Sequence, residues 1–176
     1  MTMDVYSLNY LHHLNDNIYS QFTNTKIYAY PNILLPKHKG KKVTQYHFRS
    51  RVHPLFTALH SLWYKWDSNK NKFIKIVPLN IEEYLTPLAL AIWFMDDGSK
   101  LEPGVRIATN NFTLNEVQFL CDILYKKYNL IATVHSGGKD KGFVLYINKK
   151  SVPLFISLVK IYMHPSLYYK LGIVGK

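Results

Sequence analysis

The chain repeats itself, and the spacing of the repeat limits how it can fold. Ser7-Leu8-Asn9 recurs as Thr113-Leu114-Asn115 at an offset of 106, where Leu14, Asp16 and Tyr19 also meet Leu120, Asp122 and Tyr125. Each stretch predicts an amphipathic helix, with Ser7 or Thr113 as N-cap and apolar residues following in three- and four-residue steps. Pro54-Leu55-Phe56 with Leu59 recurs as Pro153-Leu154-Phe155 with Leu158 at an offset of 99. Proline suits the first turn of a helix, so each copy opens a second one. Between the paired helices the pattern turns strand-like. Residues 43–50 alternate Gln45, His47 and Arg49 with Tyr46 and Phe48, and residues 130–135 and 143–148 frame the turn Gly137-Gly138-Lys139-Asp140. The unit is helix, strand, strand, helix, used twice.

The second copy carries something in front of it. Residues 85–98 read as a helix with Thr86 as N-cap, Pro87 at its first position and Gly98 as its C′ residue. Leu88 to Met95 are apolar all round, which predicts burial on most sides. A strand follows at 105–109. At the same offset, the first copy's counterpart of 85–98 falls before Met1. Residues 1–78 therefore read as an incomplete repeat, short of a leading helix and its first strands, and residues 79–176 as a complete one.

Asp96 and Asp97 close this apolar helix at the negative end of its dipole, each costing on the order of 0.3–1 kcal/mol. A cation or strong donor must compensate them, and a hard divalent metal favours carboxylate oxygen. A solvated Asp-Asp-Gly turn is the plainer alternative.

Charge gives the helix a context. Lys+Arg number 22 against Asp+Glu 11, a formal net charge of +11, which points to a polyanionic partner. With 48% apolar and 15% aromatic residues the chain is no disordered basic tail. The single cysteine, Cys121, excludes a disulfide framework and a Cys-rich zinc module, and is expected in the core. No apolar run approaches the ~20 residues that span a bilayer, so no membrane partner is expected. Nor does the start of the chain read as a signal peptide. Lysine outnumbers arginine 19 to 3, with abundant Asn, Ile and Tyr. That bias suits AT-rich organelle coding DNA, and the expected location is an organellar matrix, mitochondrial before chloroplast.

Leu-Ala-Ile-Trp-Phe-Met-Asp-Asp-Gly at 90–98, preceded by Tyr84-Leu85-Thr86-Pro87, resembles the second signature helix of the LAGLIDADG homing endonucleases. The matching branch reads Trp-Phe-Met-Asp-Asp-Gly. The resemblance runs from about Tyr10 to Leu171. It is specific at 84–98, moderate at Lys75-Ile76-Val77-Pro78 and Tyr169-Lys170-Leu171, and faint elsewhere. It implies an α+β fold of tandem αββαββα repeats that pack through their signature helices, with sheets forming a saddle over DNA; here the first repeat is truncated at its N-terminus. It implies Asp97 as a ligand of Mg²⁺ or Mn²⁺, with Asp96 as the other signature acid. Lys75 and Lys170, 95 residues apart, match the two basic residues that flank the metals. Phosphodiester cleavage needs an activated water and relief of charge on phosphate, and a lysine near the metals can supply the second. The expected catalytic set is Asp97, Lys75 and Lys170.

Lys39, Lys41, Lys42, Gln45, His47, Arg49 and Arg51, with Arg106, Lys139 and Lys141 in the second copy, are the donors an outward strand face would offer to double-stranded DNA. Singly each reads as a solvated charge; together they predict salt-sensitive backbone contacts. The aromatic clusters Trp63-Tyr64, Trp66 and Tyr168-Tyr169 are expected in core or helix packing. One departure from the family matters most. A single-chain member carries two signature helices and this sequence carries one. Cleavage is thus expected to depend on a second chain, a fragment or residues ahead of Met1 that supply the other. The alternative is a non-catalytic, maturase-like or ribonucleoprotein component that binds intron or ribosomal RNA.

Overall fold

The helix–strand–strand–helix pattern is present in both halves of the chain. The computed structural model describes residues 2–4, 7–23 and 26–173. These form two compact units, Met1–Thr57 and Ala58–Lys176. That division falls at 57/58, whereas the sequence repeat is expected to divide at 78/79.

In the first unit β1 (Thr2–Asp4), β2 (Tyr28–Tyr30) and β3 (Gln45–His47) form an antiparallel sheet ordered β1-β3-β2, with Tyr28 opposite His47 and Tyr30 opposite Gln45. The strand expected over 43–50 is only three residues long, because beyond it the chain leaves the sheet and Arg51 N donates to Phe22 O at 2.7 Å. The expected first helix is also shorter. α1 (Leu8–His13) gives way to a wide π turn at Leu14–Ile18, and Ser7 does not cap α1 with its side chain. Tyr10, Leu11 and Leu14 are buried on the inner side of this stretch. The helix expected at Pro54 is α2 (Pro54–Trp63), which runs across the boundary between the units.

The second unit carries the full αββαββα series. It runs α4 (Pro87–Asp97), β6 (Gly98–Leu101), β7 (Gly104–Ala108), α5 (Leu114–Tyr128), β8 (Ala132–Ser136), β9 (Phe143–Ile147) and α6 (Val152–Val159). Ahead of it stand β4 (Tyr64–Asp67), β5 (Lys72–Lys75) and the short α3 (Ile81–Tyr84). The four later strands form an antiparallel sheet ordered β6-β7-β9-β8. α5 starts on a full capping box between Thr113 and Glu116 and stops at Asn129 in the left-handed region, φ 55°. The β8–β9 hairpin turns where the glycines predicted it, with Gly138 and Asp140 at positive φ.

The alternation of the strands decides which face is covered. Val105, Ile107, Leu145 and Ile147 are buried on one face together with Leu120, Cys121 and Leu124 of α5. Phe94 of α4 meets Phe155 of α6 edge-on at 5.0 Å. Burying each of these large side chains contributes about 1.5–3 kcal/mol. Cys121 sits in this core as expected; burial pushes its thiol up to about 12, with the Asp122 charge adding to it.

Three expectations need correction. α4 is not buried on most sides: Leu90, Ala91, Phe94 and Met95 are, whereas Leu88 is 37% exposed and Ala89, Ile92 and Trp93 are half-buried. Gly98 does not close α4 in the left-handed region. It is extended, φ −85°, and opens β6. Its glycine is required by space, since a Cβ there would lie 2.4 Å from Phe94 O and 2.2 Å from the Phe94 ring. Finally, Tyr64, Trp66 and Tyr169, expected in core or helix packing, are 37%, 50% and 63% exposed. Trp66 stands on the two-stranded β4–β5 ribbon and Tyr169 on the final 3-10 turn. Among the described residues no helix is long and apolar enough to cross a membrane.

Candidate active site

Thr86 and Pro87 fix the start of α4: Thr86 Oγ1 accepts from Ala89 N at 3.1 Å. The residues just before it are tied to the end of α5. Tyr128 Oη donates to Leu85 O at 2.5 Å, Lys126 Nζ donates to Glu82 Oε2 at 2.8 Å, and Lys127 Nζ donates to the Glu82 carbonyl. The helix is thus held at its origin, and its register sets what faces where. Leu85, Ala89, Trp93 and Asp97 follow at four-residue steps and share one stripe. That stripe lines a cavity of about 440 Å³. Asp96, about 100° further round the helix, is not part of the lining.

Lys75 lines the same cavity from the end of β5. Its ammonium lies 5.5 Å from the centroid of the Phe112 ring, a cation–π distance. Two residues on, Val77 N donates to Glu116 Oε1 at 2.9 Å, so the capping acid of α5 also anchors the segment leaving β5. Burial works against the Glu116 carboxylate, but hydrogen bonds from the backbone of Thr113 and Val77 outweigh it and hold the group below its ordinary value. One carboxylate and one ammonium, distant in sequence, share a cavity.

Lys170 reaches the same helix differently. From the 3-10 turn Pro165–Leu171, its Nζ donates to Met95 O at 2.5 Å and to Asp96 O at 3.5 Å. This is the compensating cation that the Asp96-Asp97 helix end demands. Of the expected catalytic set, Lys75 and Asp97 line one cavity, and Lys170 holds the terminal carbonyls of α4.

The donors suit a hard divalent ion, because Asp97 and Asp96 offer only carboxylate oxygen. They do not complete a coordination shell. Among the described residues no three His, Cys, Asp or Glu side chains come together as a metal site. Phosphate oxygen, water and a further acidic group are the chemistry that would fill the remaining positions.

The open face of the four-stranded sheet carries polar side chains. The register sets Ser99, Arg106, Tyr146 and Thr133 in one row across β6, β7, β9 and β8. Arg106 Nε donates to Ser99 Oγ at 2.9 Å. The His135 ring stacks on Tyr146 at 4.6 Å and lies within hydrogen-bond reach of Thr133 Oγ1 at 3.0 Å. Lys139 and Lys141 are exposed at the tip of the β8–β9 hairpin. In the first unit Gln45 and His47 share a face with Tyr28 and Tyr30, and His47 stacks on Tyr28 at 5.7 Å. Lys39, Lys41, Lys42, Arg49 and Arg51 are exposed in the segments flanking β3. Tyr146, Thr133, His135 and Ser99 are additions that the sequence reading did not make. The period-two pattern of β8 could have yielded Thr133 and His135; β9, Phe-Val-Leu-Tyr-Ile, is apolar at both parities and hides the outward Tyr146.

Residues 5–155 match the LAGLIDADG DNA endonuclease family. The chain is 38% identical over 169 residues to the cytochrome b mRNA maturase bI2 of Saccharomyces cerevisiae, covering 94% of this chain and 39% of that protein. It is 42% identical over 134 residues to the intron-encoded endonuclease ai4 of Dictyostelium discoideum, covering 76% of this chain and 80% of that one. Among solved structures, the homing endonuclease I-WcaI bound to its DNA recognition sequence superposes with a TM-score of 0.76 at 26% identity, over 97% of this chain and 73% of its own. The chain spans 39% and 58% of the lengths of two bI2 maturases it matches, from Saccharomyces cerevisiae and Debaryomyces hansenii. The expected fold is confirmed, and the chain belongs to the LAGLIDADG DNA endonuclease family.

Proposed function

We propose that the protein is a site-specific DNA endonuclease of homing type, which hydrolyses phosphodiester bonds of duplex DNA with Mg²⁺ or Mn²⁺ held at Asp97. The observation that supports this reading is the shared cavity, lined by Asp97 at the end of the signature helix and by Lys75 at the end of β5. Endonucleases of this family use divalent metal ions. Such an ion supplies an activated water and offsets charge on a phosphate oxygen. Asp97, with Asp96 beside it, would hold the ion. Lys75 stabilises charge developing on the phosphate. Lys170 holds the helix end that carries both acids.

The donors present are half of what such a centre needs, so activity depends on a second signature helix from another chain or from a further part of the protein. Double-stranded DNA is the partner, and I-WcaI bound to its recognition sequence is the precedent. Arg106, Lys139 and Lys141 in the second unit, and Lys39, Lys41, Lys42, Gln45, His47, Arg49 and Arg51 in the first, make its phosphate and base contacts. The two repeats, 1–78 and 79–176, descend from a duplication. The site of action is an organelle, the mitochondrial matrix before a chloroplast, a reading supported by the lysine-rich composition and by the cytochrome b mRNA maturases among the relatives.

The 38% identity to two cytochrome b mRNA maturases favours one second reading, an intron or ribosomal RNA ligand bound without cleavage. Duplex cleavage in Mg²⁺, with a second signature helix supplied, separates the two. Cutting that requires Asp97 supports the nuclease; binding to structured RNA with no cutting in any divalent ion supports the other.

A further inference from the structure

We propose that the β4–β5 ribbon is a stacking platform for unpaired nucleotides, a binding site separate from the duplex-facing sheets. The register pairs Tyr64 with Lys75 and Trp66 with Phe73, so these four side chains share one face of a two-stranded ribbon. Their rings are open: Tyr64 is 37%, Trp66 50% and Phe73 52% exposed. They are also contiguous. Trp66 meets Phe73 edge-on at 5.1 Å, and His60 of α2 meets Phe73 at 4.8 Å and stacks on Tyr64 at 4.8 Å.

The charge of the ribbon is one-sided. Between 64 and 75 stand Lys65, Lys70, Lys72 and Lys75 against the lone acid Asp67. Asp67 is spoken for, accepting from Asn69 N and Lys70 N at 3.0 and 3.2 Å. Lys75 shares the face of the rings, Lys65 and Lys72 stand on the opposite face, and Lys70 pairs with Asp67 at 3.8 Å. Exposed aromatic rings on a net-positive ribbon fit a polyanion that offers free π faces in turn. Duplex DNA does not, because its base faces are hidden in the stack; single strands and RNA loops do. A protein partner suits the patch less well, since lysine is depleted at the centre of protein interfaces. Lys75, at one end of the strip, also lines the Asp97 cavity, so the platform adjoins the candidate active site.

The test is binding of the full chain to a labelled oligo(U) RNA of about 12 nucleotides, the matching oligo(dT), and a duplex of the same length. Native protein is compared with the double variant Trp66→Leu/Phe73→Leu, which keeps apolar bulk and removes the rings. Both single strands are expected to lose about tenfold or more in affinity, while the duplex changes by less than about twofold. A greater loss on RNA than on DNA identifies RNA as the source of the unpaired nucleotides, and an equal loss makes the site indifferent to the sugar. Undiminished single-strand binding by the variant overturns the proposal, as does an equal loss on single strands and duplex. A native dimer that becomes monomeric in the variant with single-strand affinity intact overturns it in favour of protein docking. Should the double variant unfold, the single variant Trp66→Leu decides, with weaker single-strand binding expected and unchanged binding counting against the platform.

Discussion

The Lys170 ammonium donates to the carbonyl oxygen of Met95 across 75 residues of sequence, at 2.5 Å. A cation at the last turn of α4 opposes the dipole and the two carboxylates that end it. Lys170→Met should therefore destabilise the second unit by about 1–2 kcal/mol, with Lys170→Arg recovering part of the loss. Urea denaturation reads this directly. An unchanged midpoint would mean that Lys170 does not support the helix end.

Arg106 is exposed on the open face of the sheet, and its Nε donates to Ser99 Oγ, so its outer guanidinium nitrogens are not used in that bond. That geometry suits a bidentate contact to guanine, worth about 1–3 kcal/mol of discrimination. Arg106→Ala should relax a guanine preference at one position when binding sites are selected from random duplexes. Lys139→Ala or Lys141→Ala should instead weaken all sequences alike and reduce the salt slope by about one.

Glu116 fastens the segment that follows Lys75 to α5, and its folded pKa is lowered. A lowered carboxylate stabilises the fold at pH values above its unfolded pKa of about 4.5, and the contribution disappears as pH falls through the folded value. Native protein should lose stability on acidification below about pH 5 more steeply than Glu116→Gln. The Gln variant should be the less stable of the two at neutral pH. Parallel acid limbs in denaturation series would contradict this.

Gly98 is locked by the backbone and ring of Phe94. Gly98→Ala should cost about 1–3 kcal/mol or more, since the Phe94 carbonyl belongs to a packed helix and cannot move aside cheaply. Thermal unfolding of the variant checks it, and a native-like Tm would be inconsistent with the packing described.

The helix starts, the signature helix and the hairpin turn were legible because each rests on local chemistry. Thr113 as N-cap, Thr86 with Pro87, and the glycines of the β8–β9 turn act within a few residues, and the structure places each where its sequence put it. What was not legible depends on contacts between distant segments. Nothing near Lys170 in sequence announces the Met95 carbonyl, and nothing near Glu116 announces Val77. The β4–β5 ribbon was hidden because its aromatic residues carry the same composition as a core. Gly98 looked like a helix stop for a sound reason, but the close approach of Phe94, not backbone handedness, requires it.

Asp97, on the cavity stripe of α4, bears the weight of the functional reading, and Asp96 next to it does not line the cavity. The most direct measurement is cleavage of a selected duplex in Mg²⁺ with a second signature helix supplied, comparing native protein, Asp97→Asn and Asp96→Asn at matched binding. The expected result is no detectable cutting by Asp97→Asn, with duplex affinity kept within about threefold, and residual cutting by Asp96→Asn. Native-rate cleavage by Asp97→Asn would contradict the assignment of the metal to this carboxylate.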